Sequence, residues 1–311
     1  VTLLLLAVAL DLVSGDPPNR WHPVAWIGRL IAFGRARAPS RPEDLVLYGI
    51  FLILIAAGLA AGGSLTAHAL LGELPGAAAP LAQAWLLKCS FSLRGLFGAV
   101  ELVRGHLVAE DLAGARRQVA RHLVSRPTAD LDRGAVGSAT VESLAENLTD
   151  GLVAPVGFFV AGTLLGGPGA GVALAWAYRA VNTADAMIGY REAELDYLGR
   201  ATARIDDVLN YVPARLAAGA LVAGAWLARE SWPRAAAVWR RDAALTASPN
   251  AGQTMAAMAG ALGVALEKTG HYRLGDGPPP DVAAIDRAMR VESWAAALCL
   301  TAAGLILAVH P

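Results

Sequence analysis

Residues 45–62, LVLYGIFLILIAAGLAAG, run unbroken without one charged side chain. This run constrains the fold more than anything else in the chain. As a helix it would be about 27 Å long, close to the roughly 30 Å hydrocarbon core of a bilayer. Backbone polar groups in lipid must be satisfied within their own segment, so a membrane chain of this kind has to be helical. Residues 293–309 form a second run, with Trp294 at an end where an interfacial aromatic would sit. Residues 152–178 form a third uncharged run, divided by Gly166, Gly167, Pro168, Gly169 and Gly171. It reads as one long broken span or as two short helices meeting at a turn. Three more apolar stretches carry interruptions: 1–13 holds Asp11, 65–100 holds Glu73 and Pro75, and 212–228 holds Arg215. The opening stretch lacks a basic n-region and is not read as a cleaved signal peptide.

Composition supports the same reading. Of 311 residues, 55% are hydrophobic and 17% charged, against roughly a quarter charged in soluble domains. Disorder is excluded, because a disordered chain needs low hydrophobicity or high net charge. The balance of 26 basic and 26 acidic residues argues against a nucleic-acid partner, which would need a basic excess. Cys89 and Cys299 lie far apart in apolar stretches, which excludes a disulfide framework or a cysteine zinc site. Lys88 and Lys268 are the only lysines, against 24 arginines. The arginines of 14–44 and 101–150 point both stretches to the cytoplasm. That requires helix 45–62 plus one crossing within 65–100. The basic segment 229–292 then demands either that 212–228 does not fully cross or that 251–266 returns through the bilayer. The expected fold is all-α: a single polytopic helical membrane domain over 1–311, with polar, partly helical cytoplasmic loops.

The chemistry-bearing residues concentrate between Asp130 and Asp207, which hold 11 of the 26 acids. If 138–150 is helical, Glu142, Glu146 and Asp150 fall within a stripe of about 80°. The helix offers them no lysine or arginine at i+4, and it runs straight into an apolar span. A solvated helix face is the plain alternative, but acids at such a position point to metal or catalytic work. Asn147 adds a neutral oxygen, and an all-oxygen set suits Mg²⁺. Asn182 and Asp185 are helix neighbours, and Asp206 shares a face with Asn210 beside Asp207; interfacial caps are the alternative there. The segment 11–23, DLVSGDPPNRWHP, brings Asp11, Asp16, Arg20 and His22 into a stretch whose prolines exclude regular helix. Residues 247–252, ASPNAG, form a polar turn with Ser248 and Asn250. There is no GxxxxGK[ST] loop, and GGPGAG at 166–171 reads as a helix–helix turn.

The segments SGDPPNRWHPVAWIGRLI, LVSRPTADLD, ATVESLAENLTDGLVAP, YRAVNTADAMIGYR, ATARIDDVLNYVPARL and SPNAGQTMAAMAGALGVALE, in that order, resemble the adenosylcobinamide-phosphate synthases, the CobD/CbiB family of cobalamin biosynthesis. The resemblance runs from about residue 11 to 275. It implies a multi-pass inner-membrane ligase with its active site facing the cytoplasm. Such an enzyme joins aminopropanol, free or as its O-phosphate, to a propionate carboxylate of adenosylcobyric acid with consumption of ATP. Two positions depart from the family pattern: Pro127 follows Arg126 where aspartate is usual, and Ala184 precedes Asp185 where leucine is usual.

Condensing a carboxylate with an amine requires activation, and Mg²⁺ would neutralise ATP's phosphates during the transfer. On this reading Glu142, Glu146, Asp150, Asn182, Asp185 and Asp206 are the metal candidates, with Asn147 beside them. Glu142, Glu146, Asp185, Asp207 and His22 are the catalytic candidates. Arg126, Arg191, Arg204 and Arg215 would clamp phosphate, and Ser248 and Asn250 would bind nucleotide or corrinoid. The expected partners are adenosylcobyric acid, aminopropanol phosphate and the bilayer; a homo-oligomer or other cobalamin-assembly enzymes remain open. Two rival classes fit similar residues: a Mg²⁺-dependent membrane prenyl- or alcohol-phosphate transferase, and a transporter built on broken segment 152–178.

Overall fold

The computed structural model describes residues 1–189 and 196–310. In chain order the first elements are α1 (Thr2–Ser14), α2 (Pro23–Arg35), α3 (Pro42–Gly72), α4 (Ala78–Lys88), α5 (Leu93–Val108) and α6 (Leu112–His122). Next come α7 (Arg133–Leu148), a π-helical turn (Thr149–Val153), α8 (Ala154–Ile188), α9 (Asp196–Leu209) and α10 (Tyr211–Leu227). The chain ends with α11 (Trp232–Asp242), α12 (Ala251–Leu262), strands β1 (Leu266–Lys268) and β2 (Tyr272–Leu274), and α13 (Val282–Val309). The protein is a helical membrane protein. Pro42–Gly72, Arg133–Ile188 and Val282–Val309 are long and apolar enough to cross a bilayer, and α9 with α10 forms a fourth candidate bent by 50°.

The chain packs as two compact units: residues 1–92, 154–210 and 302–311 form one, and residues 93–153 and 211–301 form the other. In the first unit, α3 carries the run 45–62. Leu47, Phe51, Leu54, Ile55 and Leu59 lie exposed on it, an outward apolar surface suited to lipid. Its inner side joins a core of Ile31, Leu52, Ile53, Ala56, Val181, Ala184, Ile188 and Leu198, drawn from α2, α3, α8 and α9. Ala184, one of the two departures noted in the sequence, lies in this packed core. Thr2–Ser14 has 13 residues and α4 only 11. Each is about 20 Å long or less, too short to span alone.

The broken run 152–178 doubles back. Gly166 and Gly167 leave helical geometry, Gly167 with φ of 83°, a conformation that favours glycine. A Cβ on Gly171 would lie 2.5 Å from the carbonyl oxygen of Phe159. Twelve residues of straight helix would separate those positions by about 18 Å. The stacked rings of Phe158 and Tyr178, 5.1 Å apart, bridge the same two limbs. Of the two readings open in the sequence, two helices meeting at a turn is the observed one.

In the second unit the most buried helices are α7, where every residue from Val136 to Ala145 is buried, and α12, buried from Thr254 to Leu262. The small residues of MAAMAGALG let α12 approach α11 closely: a Cβ on Gly260 would lie 2.5 Å from the Arg234 carbonyl oxygen. Residues 251–266, the second alternative for the return of the basic segment, form α12 and the start of the hairpin. α12 has 12 residues, about 18 Å of helix, and ends at Gly263 with φ of 70° before the β1–β2 hairpin. The length is short of a full span, and the burial of Thr254–Leu262 makes α12 a core helix of this unit. Residues 65–100 are divided among the end of α3, α4 and the start of α5. α3 ends at Gly72, α4 is short, and α5 carries Arg94, Glu101 and Arg104.

Candidate functional site

The expected site residues divide between the units. In the second unit, Asp132 caps α7 by accepting the Ala135 N–H at 2.8 Å. The preceding loop is strapped to α6: Thr128 Oγ1 donates to the Arg116 carbonyl at 3.0 Å, and Arg116 Nε donates to the Leu131 carbonyl at 2.6 Å. That loop delivers Arg126, whose Nη2 lies 3.6 Å from Glu142 Oε2. The cation missing from the helix's own i+4 positions thus comes from outside the helix. Glu142 is buried, and its Oε1 accepts from Ser138 Oγ at 2.8 Å while Oε2 accepts from the Tyr272 hydroxyl at 3.0 Å. Ser138 Oγ also accepts the Glu267 N–H at 2.7 Å, tying the hairpin to α7. Burial, together with the Glu142 charge and hydrogen bond and the nearby Glu146, pushes the Tyr272 phenol far up. It remains a proton donor at any physiological pH.

Glu146 is half-buried one turn further along α7. Asn147 turns its NH₂ back onto the Ser143 carbonyl at 2.9 Å. Asp150 falls in the π-helical turn, a distortion common at functional positions. In the same unit Arg215 reaches Asn250: Nη1 donates to Asn250 Oδ1 at 3.3 Å and to the Tyr211 carbonyl at 2.7 Å, and the guanidinium lies 3.5 Å from the Tyr211 ring centroid. Ser248 Oγ accepts the Asn250 N–H at 3.2 Å. Arg215, Ser248 and Asn250, apart in sequence, are brought together as one group.

In the first unit a chain of side chains links α8 to α9. Arg179 Nη1 donates to Asn182 Oδ1 at 3.2 Å, Asn182 approaches Asp206, Asp206 Oδ2 accepts from Asn210 Nδ2 at 2.9 Å, and Asn210 Oδ1 accepts from the Tyr178 hydroxyl at 2.9 Å. Asp206 is only 8% exposed, and its Oδ1 is buried without a hydrogen bond. Asp207 stands beside it. Asp185 lies one residue beyond the core alanine Ala184, towards the end of α8. Arg204 is exposed on α9, and Arg191 lies outside the described residues. Among the described residues no three His, Cys, Asp or Glu side chains gather closely enough to hold a metal ion.

His22 belongs to another cluster of the first unit. Its Nδ1 accepts the Val24 N–H at 3.2 Å as the cap of α2, and its Nε2 lies 3.7 Å from Asp16. A neutral imidazole so held carries its proton on Nε2, so there it offers a proton and not a base's lone pair. Sequence reasoning missed Lys88, fully buried between Asp11 and Asp16. The available signal was its rarity, one of two lysines in an arginine-rich chain. Tyr272 and Arg179 were missed too, and so was Glu292, fully buried on α13 with neither oxygen bonded. Nothing in their local sequence sets them apart.

The fold and these groups define a class: a helical membrane protein whose buried carboxylates and pinned arginines lie along and at the ends of its helices. The family described as CobD/Cbib protein matches residues 4–301. The chain belongs to that family. It is 41% identical over 278 residues to the cobalamin biosynthesis protein CobD of Dehalococcoides mccartyi, covering 88% of this chain and 86% of that one. To the protein of the same name from Chromobacterium violaceum it is 40% identical over 326 residues, covering 99% and 98%. The Klebsiella pneumoniae protein of that name is 37% identical over 277 residues, covering 88% and 84%. No solved structure matches.

Proposed function

We propose that the protein acts in cobalamin biosynthesis as an ATP-dependent ligase at the cytoplasmic face of the inner membrane. It joins 1-amino-2-propanol O-phosphate, or the free amino alcohol, to a propionate carboxylate of adenosylcobyric acid. The observation that carries this reading is the family match across residues 4–301. The geometry adds chemical support. Three arginines are each held by an acceptor side chain, Arg126 by Glu142, Arg179 by Asn182 and Arg215 by Asn250. Guanidinium groups fixed in this way suit phosphate oxygens.

A carboxylate is a poor electrophile. Activation transfers a phosphoryl group or an adenylyl group from ATP to a carboxylate oxygen and releases ADP or diphosphate. The amine nitrogen then attacks the carbonyl carbon, the C–N bond forms, the phosphate or AMP leaves, and the ammonium's proton is lost. Arg126 and Arg215 hold phosphate oxygens, with Ser248 and Asn250 beside Arg215 for nucleotide or corrinoid. Glu146, Asp185 or Asp207 receives the proton. Mg²⁺ bound to ATP supplies charge neutralisation on the phosphates. Asp206, whose Oδ1 is buried without a hydrogen bond, and the neighbouring Asn182 would offer oxygen ligands to such an ion, with Asp185 further along α8; Glu146 and Asp150, one turn apart, would do so in the second unit. Mg²⁺ takes one or two carboxylates and completes its shell with water and substrate phosphate, so two acids in a set suffice.

The test uses the purified full chain with adenosylcobyric acid, ATP and the amine. Glu146→Gln and Asp185→Asn keep the fold, and each loses ATP-dependent amide formation. Full activity in both variants would remove these acids from the mechanism. Release of ADP or AMP that depends on both organic substrates separates a ligase from a transferase consuming a diphosphate substrate.

A further inference from the structure

The cluster around Lys88 borders a cavity. Lys88 Nζ lies 2.5 Å from Asp16 Oδ1 and 3.4 Å from Asp11 Oδ1, and both Lys88 and Asp11 are sealed from solvent. Asp16 is the one of the three that lines the opening, a cavity of about 300 Å³ shared with Asn19, His22, Cys89, Ser92 and Arg179. Asp11 and Asp16 both face the Lys88 ammonium, and Asp16 is the carboxylate that reaches the cavity. Burial works against that charge, but hydrogen bonds from His22, Lys88 and Ser92 and the Lys88 charge outweigh it and hold the carboxyl well below its usual range. Ser92 Oγ binds Oδ2 at 2.5 Å. A carboxylate offers about four acceptor directions, so capacity for a further donor remains. Arg179 brings a guanidinium to the same space, braced by Asn182. The Cys89 thiol, pushed up to about 12 chiefly by burial, is inert beside it.

A cavity offering one carboxylate and one guanidinium matches a small molecule bearing an ammonium and an anion. Its volume lies at the low end of ligand sites, roughly 300–1,000 Å³, which suits a compact molecule and excludes a corrinoid ring. We propose that this cavity is the subsite of the amine co-substrate, an amino-alcohol phosphate whose ammonium is received by Asp16 and whose phosphate is received by Arg179. The inference rests on the ligase reading above and names where one of its substrates binds. Lys88 and Asp11 touch no ligand; they position Asp16. The bound amine stays protonated there, because so weak a base as Asp16 cannot take its proton, and deprotonation occurs only as the amine leaves for the activated carboxyl.

The experiment is calorimetric titration of 1-amino-2-propanol phosphate into the full chain in phosphatidylcholine nanodiscs, without ATP or corrinoid. The wild type binds it. Asp16→Asn still leaves Lys88 paired with Asp11, so the fold is kept, and it weakens binding at least about tenfold, the scale of one charge-assisted hydrogen bond. Arg179→Gln weakens the phosphate form by a similar factor and leaves the affinity for unphosphorylated aminopropanol unchanged; Arg179→Lys recovers part of the loss. Unchanged affinity in Asp16→Asn and Arg179→Gln overturns the assignment. A phosphatidylethanolamine headgroup carries the same pair of charges. Absence of binding by the free ligand, with phosphatidylethanolamine retained by the wild type and lost in both variants, also overturns it in favour of a lipid site. Binding with the expected variant pattern in a protein that makes no amide would sink the ligase reading and leave the subsite standing. Amide formation with an unaltered KM for the amine in both variants would do the reverse.

Discussion

Glu142 and Asp206 are both buried acids on helices, yet their surroundings differ. Each oxygen of Glu142 is answered: Ser138 on one, Tyr272 and Arg126 on the other. Asp206 receives Asn210 on Oδ2 and has Asn182 beside it, while its Oδ1 makes no hydrogen bond. A buried acid with all its bonds made holds structure together, because the cost of its desolvation is offset within the protein. A buried acid with a bare oxygen carries an uncompensated cost, and such groups mark functional positions. The second unit therefore uses its central carboxylate to brace Arg126 and the hairpin, whereas in the first unit Asp206 keeps one buried oxygen without a hydrogen bond, the one the proposed mechanism gives to a ligand.

The comparison can be broken by mutation. Glu142→Ala strands Arg126, Ser138 and Tyr272, and breaking a buried pair costs about 3–5 kcal/mol; thermal unfolding in detergent should show it as the largest loss of the set. Asp206→Asn is expected to lower ligase turnover by about 100-fold, some 2.7 kcal/mol of activation, with unfolding temperature unchanged or raised. If Asp206→Asn unfolds the protein and Glu142→Ala does not, the contrast is reversed and the assignment of roles falls with it. Tyr272→Phe removes one hydrogen bond to Glu142 and should cost about 1.5–3 kcal/mol, read by the same unfolding assay.

The smallest effect concerns pH. Asp16 ionises more readily when folded than an ordinary aspartate, whose pKa is about 3.9. Its stabilisation is therefore complete above that value and drains away as pH falls towards the folded pKa. Unfolding temperature should show no pH dependence from Asp16 between about pH 5 and 8, where its contribution is fully present, and a decline below about pH 4. In Asp16→Asn the decline should be shallower. An identical acid profile for the two proteins would remove Asp16 as a strongly held carboxylate.

Much of the fold was legible because lipid-facing helices are written in uninterrupted apolar sequence. Residues 45–62 and 293–309 lie inside α3 and α13, and the glycines of 166–171 mark the turn in α8. Less legible was which apolar helix is buried in protein: α12 is as apolar as a span, and only its length and Gly263 distinguish it. The site was legible as residue types and not as pairs. Glu142 read as an acid without a cation, since Arg126 reaches it across a loop and not along the helix. Arg215 and Asn250 meet through folding of distant segments, a relation with no local period. Lys88 was visible only as a rarity, and its two aspartates lie more than 70 residues away.

The central claim is the reaction. Purified protein in nanodiscs is incubated with adenosylcobyric acid, ATP, Mg²⁺ and 1-amino-2-propanol phosphate, and the corrinoid is analysed by mass spectrometry. The account predicts conversion to adenosylcobinamide phosphate, heavier by the amine less one water, in the complete mixture and in none lacking ATP or the amine. Unaltered adenosylcobyric acid in the complete mixture, from folded and monodisperse protein, would contradict it.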